Sequence, residues 1–353
     1  MTHRIKPWSL FLLALATVLP AVGGEYFHDK SPIEAKGVYE EEDHPDENLW
    51  IYTKGTKVRE QGSWEFKLKN VSRIGKLEGS YQFHDFRPEI EYGITDKLTF
   101  GASVFLFHHD YRNVPWGPMN ERNPTPGGIN GTLGNYTGTQ LGGFEFNTKY
   151  NVLDPFEDSF GLSFGLSFDH RVAYRLDGGR INQDALTPQI FIQKSLMDDR
   201  LQLAFHGKLE HEQRKGGEIL EEEIAPDLAL GVSYELKKDI WIGLETRWQT
   251  DALSPYDVVA GAYGDDNSPS NWDFNEYAIG DQFQWGLYVG PTIHWDPSDK
   301  PWWITAGALV QVSGWSDDGN TASSGGRNWD EHEKIHAGIT FGYEWEANKR
   351  HGK

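Results

Sequence analysis

The chain has 353 residues, with 53 Asp and Glu against 33 Lys and Arg, a formal net charge of −20. Nucleic acid is excluded as a partner by that acidity, because phosphates select basic surfaces. Cysteine is absent, so no disulfide contributes to the fold, and 14 Trp, 15 Tyr and 19 Phe sit in a chain only 38% hydrophobic.

The N-terminus reads as an export signal. Met1 to Lys6 carries Arg4 and Lys6, Trp8 to Leu19 is apolar apart from Ser9 and Thr17, and Pro20 to Gly24 supplies small residues. A basic start, a short apolar run and a small-residue exit define a signal peptide over residues 1–24, cleaved near Gly23 or Gly24. Residues 25–48 read as an acidic, flexible periplasmic segment. Glu40-Glu41-Glu42-Asp43 and Pro45-Asp46-Glu47 form a like-charge block without apolar periodicity. No later stretch approaches the roughly 20 apolar residues of a membrane helix.

From about residue 63 the apolar period becomes two. Twelve segments follow it, near 63–74, 80–94, 98–111, 138–152, 160–175, 183–197, 201–213, 222–236, 239–250, 279–295, 302–315 and 331–346. In the clearest, Phe160, Leu162, Phe164, Leu166, Phe168 and Val172 take one face, and Ser163, Ser167, Asp169 and Arg171 the other. Alternate side chains of a strand point to opposite sides, so each segment has one apolar and one polar face. Leu49-Trp50-Ile51-Tyr52 offers a further strand. The parity of Tyr81 to Pro88 shifts near Asp85, which suggests a bulge.

Every second connection is short: Thr95-Asp96-Lys97, Asp154 to Asp158, Met197 to Arg200, Lys237-Lys238-Asp239, Asp296 to Lys300. Those between are longer, above all Arg112 to Thr137 and Asp251 to Ile279. Tyr92, Tyr150, Phe160, Tyr234, Trp241, Trp295, Trp302, Trp303, Tyr343 and Trp345 flank the short turns, as an interfacial aromatic girdle would. The fold class expected is all-β: a transmembrane antiparallel up-and-down β-barrel of about twelve strands over residues 49–346, with short periplasmic turns, long extracellular loops and a tail at 347–353.

The polar faces then line a lumen. Its candidates are Lys67, Arg87, Glu89, Glu91, Glu145, Lys149, Asp169, Arg171, Arg175, His206, Lys208, Glu210, Glu223, Asp227, Glu245, Arg247, Lys334 and His336. Both signs are interspersed, which fits either charges paired across the interior or a constriction selecting small polar or charged solutes. His108, His109, Asp110, His211 and Glu212 end outgoing strands, where a rim-located enzyme would carry an acid–base pair. Asp265-Asp266-Asn267 and Asp317-Asp318-Gly319-Asn320 offer hard oxygen ligands but read as solvated turns. No motif calls for a cofactor or a metal. The expected function is passage of small solutes, with a structural or adhesive barrel as the alternative. Oligomeric state is not set by the sequence.

His336, Gly338, Phe341 and Tyr343 resemble the C-terminal signature by which bacterial outer-membrane barrels are presented to their assembly machinery, with Glu346 to Lys353 as a departure from it. Arg87 to Gly101 resembles a hairpin found in several groups of proteobacterial barrels, and Gln61 to Phe66 is similar to the same groups. Some of those are described as transporters similar to the outer-membrane proteins of aromatic-degradation pathways. The resemblance implies a Gram-negative outer-membrane location, lipid and the assembly machinery as partners, and, by analogy of fold, channel activity.

Overall fold

The computed structural model describes residues 47–114, 134–216, 219–257, 262–263, 282–298, 300–316 and 325–345. Residues 1–46 and the tail, on which the signal-peptide and acidic-segment expectations rest, lie outside them, as do the Asp-rich loops near 265 and 318.

Twelve antiparallel strands close on themselves. They are β1 (Trp64–Ile74), β2 (Ser80–Thr95), β3 (Leu98–Val114), β4 (Gly134–Leu153), β5 (Gly161–Ala173), β6 (Arg180–Leu196), β7 (Leu201–Gly216), β8 (Ile219–Lys237), β9 (Ile240–Asp257), β10 (Gln282–Trp295), β11 (Trp302–Ser316) and β12 (Ile335–Trp345). A two-residue pairing, Ala262–Tyr263, extends the ladder of β9. Each strand pairs with its neighbours in sequence, and the seam is β1 on β12, from Trp64 opposite Trp345 to Ile74 opposite Ile335. Closure satisfies every strand edge, the condition for crossing lipid with strands.

The two-residue period sorts side chains as the sequence predicts. Leu68, Ile90, Phe144, Phe164, Leu230 and Leu244 stand 39–56% exposed on the outside, while Lys67, Glu91, Asp169 and Glu245 on the opposite face are at most 4% exposed. Trp64, Phe160, Trp295 and Trp345 face outward beside the short turns. The turns suit their residues: Asp198 (φ 53°), Asp199 (φ 62°) and Asp239 (φ 69°) occupy the left-handed region that Asp tolerates better than most residues.

Four expectations need correction. Leu49–Tyr52 is not a strand but part of an irregular segment inside the barrel. Asp85 sits in an unbroken register with both neighbouring strands, so no bulge lies there. The apolar pattern of the sequence shifts parity there because Tyr81 and Phe83, which are apolar, face inward with Asp85. Residues 331–334 form a loop rather than the start of β12. Trp241 and Trp303 do not join the girdle; they turn inward, where Trp303 Nε1 donates to Glu65 at 2.9 Å and Trp241 packs on Leu49 and Trp50.

Candidate functional site

Residues 47–62 enter the barrel before β1 begins, and they organise the lumen. Their deepest part is a tight loop whose base closes through Gly55 N–H on Glu47 O at 2.9 Å. The loop tip is caught by one carboxylate. Glu245 of β9 accepts the backbone N–H of Ile51 (3.0 Å), Tyr52 (2.9 Å) and Thr53 (2.5 Å), and the Thr53 hydroxyl at 2.8 Å. Irregular backbone has no ladder of its own, so its buried N–H groups need partners from the wall. Gln193 accepts from Thr56 N at 2.9 Å, and Asn151 and Ser163 donate to Thr56 O at 3.1 and 2.6 Å. Thr305 donates to Asn48 O at 2.5 Å, and Lys149 donates to Gly55 O at 2.6 Å and pairs with Glu47.

Small residues in the wall make room for the apolar part. A Cβ on Gly338 would stand 2.5 Å from Ile51 Cγ2, and one on Gly231 would stand 2.4 Å from the Trp50 ring. Both glycines are therefore required by close approach. Ile51 and Tyr52 pack with Val71, Ala229, Tyr288 and Leu309, and Leu49 and Trp50 with Ala204 and Trp241. The segment is a plug bound by apolar packing and directed hydrogen bonds together.

The candidates borne by strands face inward, Arg175 of the β5–β6 loop lines the same interior, and most are paired. Lys334 instead lies in the loop before β12, with its ammonium 4.7 Å over the Trp329 ring. Lys67 lies 2.5 Å from Glu91, with Glu65, Glu47 and Glu89 at 3.5–3.7 Å. Glu47, Glu65 and Glu91 gather closely enough to hold a metal ion, but the Lys67 ammonium already supplies a cation among them. Arg87 binds Asp85 at 2.7 Å and approaches Glu145 at 3.8 Å; Asn147 donates to Glu89 at 2.8 Å. Arg171 meets Asp169 (2.7 Å), Glu212 (3.2 Å) and Glu210 (3.4 Å). Arg247 pairs with Asp227 at 2.5 Å and lies 4.0 Å over the plug's Tyr52 ring. His206 bonds Tyr52 O at 3.1 Å and Gln189 at 2.9 Å. His336 shares a 2.9 Å hydrogen bond with the Tyr52 hydroxyl and stacks on Tyr288. Lys208 and Arg175 have no carboxylate oxygen within 4.0 Å among the described residues. Of the assembly-signature residues, Gly338 faces the plug, whereas Phe341 is exposed on the outer face.

Above the plug lies a cavity of about 190 Å³, walled by residues from most strands and by the plug itself. Eleven of the chain's 33 Lys and Arg line it, but only ten of its 53 Asp and Glu. The cavity is thus close to neutral inside a strongly acidic protein. A smaller cavity of about 80 Å³ continues outward past Arg73, Arg171 and Arg175 to His332 and Glu333.

The outer end is narrowed differently. Phe83, Phe105, Phe107 and Tyr111 face inward and form a buried cluster with Tyr81. The β5–β6 loop folds onto it: Tyr81 donates to Arg175 O (3.2 Å), Tyr111 to Asp177 O (3.0 Å) and Gln140 to Gly178 O (2.7 Å). His109 bonds Arg175 O at 3.0 Å inside this cluster. Its strand neighbours His108 and Asp110 point the other way and bond Thr139 and Thr137. His211 and Glu212 likewise occupy opposite faces, with Glu212 held by Arg171 and Gln183. Neither rim pair forms the acid–base couple the sequence offered.

The plug is what the sequence reading missed. Its usable signals are an apolar run, Leu49 to Tyr52, with no alternation and a glycine at 55, and inward-facing glycines at 231 and 338.

Residues 42–345 match a family of unknown function (DUF6662), and the chain belongs to that family. A comparison with curated proteins finds no match. Among solved structures, the COG4313 outer membrane channel from Pseudomonas putida F1 is similar, with a TM-score of 0.51 and 10% identity over 82% of this chain and 98% of that one. The NanC porin follows at 0.40 and 8% over 79% and 98%, and the KdgM porin at 0.37 and 10% over 80% and 99%. The first likeness is one of fold, and the architecture is that of outer-membrane β-barrels.

Proposed function

We propose that the protein is a narrow outer-membrane channel for small polar or charged solutes, in which residues 47–62 form the constriction. The observation that carries this reading is the charged cavity above the plug, which opens toward the outer end through the smaller one. A barrel serving only as a scaffold gains nothing from such a chamber, since taking charges out of water costs stability that even their pairing often fails to offset. A wall lined by both signs replaces part of a solute's hydration, as charged rings do in channels. The apolar outer face and aromatic girdle support insertion in the outer membrane, and an exported N-terminus is consistent with it.

A second reading is a non-conducting envelope barrel, favoured by the plug's occupation of the lumen. Purified full-length protein in planar bilayers separates the two. Small discrete current steps support the channel. Silence at every voltage, both for the native chain and after Glu245→Ala frees the loop tip, leaves the structural barrel.

A further inference from the structure

Of the eleven Lys and Arg that line the larger cavity, six have a carboxylate partner; among the described residues Lys54, Lys57, Lys69, Arg175 and Lys208 do not, and three of these five come together. Lys69 of β1, Lys208 of β7 and Lys54 of the plug all line the same cavity, half-buried. None has a carboxylate oxygen within the 4.0 Å of an ion pair among the described residues. Lys69 makes one hydrogen bond, to Ile51 O of the plug at 3.0 Å, which fixes the stem and leaves two ammonium donors free. Lys54 and Lys208 stand close enough to Lys69 for their charges to repel it. The carboxylates in range of these lysines are committed elsewhere: Asp227 to Arg247, Glu89 to Asn147, and Glu145 to Arg87 and Asn147.

Like charges gathered in a partly desolvated chamber repel one another, and that cost is recovered when an anion enters. Ammonium groups are flexible point charges, each with three donors, suited to an acceptor-rich group of several oxygens. The cavity has room for on the order of ten water molecules, hence for a solute of similar size.

We propose that Lys54, Lys69 and Lys208 form a binding site for a small oxyanion, carboxylate or phosphate, at the level of the plug tip. The site names a solute class for the channel and rests on that reading for its physiological role, not for binding. Because Lys54 belongs to the plug and Lys69 is held by it, the anion site is complete only while the plug is seated.

Titration calorimetry on full-length protein in detergent, with inorganic phosphate and with glutarate as separate probes, tests this. One or both should saturate at a single site. Lys69→Gln and Lys208→Gln should each lower affinity at least tenfold, and the double variant should abolish binding. Lys208→Arg should restore it, and Lys97→Gln, on an exposed turn, should leave it unchanged. Retention of heat-modifiable gel migration shows that each variant is folded. Absence of binding by both probes, or equal binding by the double variant, overturns the site even if the protein conducts. Saturable binding by a protein that passes no current keeps the site and removes the channel.

Discussion

The two ends of the lumen are built on the same inward-facing positions but filled by opposite chemistry. Toward the outer end, β2 and β3 turn Tyr81, Phe83, Phe105, Phe107 and Tyr111 inward, and their rings carry the β5–β6 loop. Toward the periplasmic end, the wall turns in Glu245, Gln193, Lys149 and Ser163, and these hold a segment of irregular backbone. Aromatic packing is non-directional and stays together without help from elsewhere in the chain. A polar wall has the reverse property. Its groups are satisfied only while residues 47–62 stay in place, so the periplasmic half can exchange one partner for another, such as water or solute. On the proposed function, the difference separates a fixed rim from a removable stopper.

Substitutions that act on one end alone sharpen this division. Phe107→Ala removes a ring from the centre of the outer cluster and should cost about 3–5 kcal/mol. Thermal unfolding monitored by near-ultraviolet circular dichroism reads the loss, and plug contacts should be unaffected. Gly338→Val places a side chain where Ile51 sits, and overpacking of this kind costs about 1–3 kcal/mol. Here the plug should yield before the barrel does, which limited proteolysis at residues 47–62 would detect. Equal loss of barrel stability in both variants would erase the distinction between the two ends.

The smallest effect concerns acid. Glu333, in the loop before β12, is buried, which alone would raise its carboxyl. Lys76 at 3.2 Å, the His336 hydrogen bond and Arg73 at 3.8 Å outweigh that and hold it well below the usual 4.5. A depressed carboxyl stabilises the folded loop above its ordinary value, and the contribution is lost only as pH falls through the lowered one. The loop should therefore stay docked at pH 5 and release only well below pH 4.5. Trp329 fluorescence should report that release, and Glu333→Gln should move it to milder conditions.

The wall was legible because a barrel strand writes its two environments into alternate residues. All twelve segments expected from the period appear as strands, most extended by a few residues at the outer end. The same parity turns the polar side chains of the strands inward, whereas Arg175 and Lys334 lie in loops that no period describes. Pairing was not legible. Asp169, Glu210 and Glu212 come to Arg171 from its own strand and from β7, and which of many charges meet depends on barrel register. The inward aromatics misled because parity separates two faces without saying which one meets lipid. Taking apolar as outward fails at Tyr81 and Phe83. The plug was least legible of all: irregular backbone has no period, and Tyr52 meets Glu245 at a separation of 193 residues.

The central claim is that residues 47–62 set the bore, and single-channel recording of Glu245→Ala beside the native chain tests it most directly. The substitution removes the carboxylate that accepts Ile51, Tyr52 and Thr53 N–H and the Thr53 hydroxyl, leaving four buried donors without this acceptor. The account predicts a severalfold larger unitary conductance, or frequent openings to a larger level, from a barrel of unchanged stability. The same small conductance in both proteins, with the plug shown by proteolysis to be displaced in the variant, would contradict it.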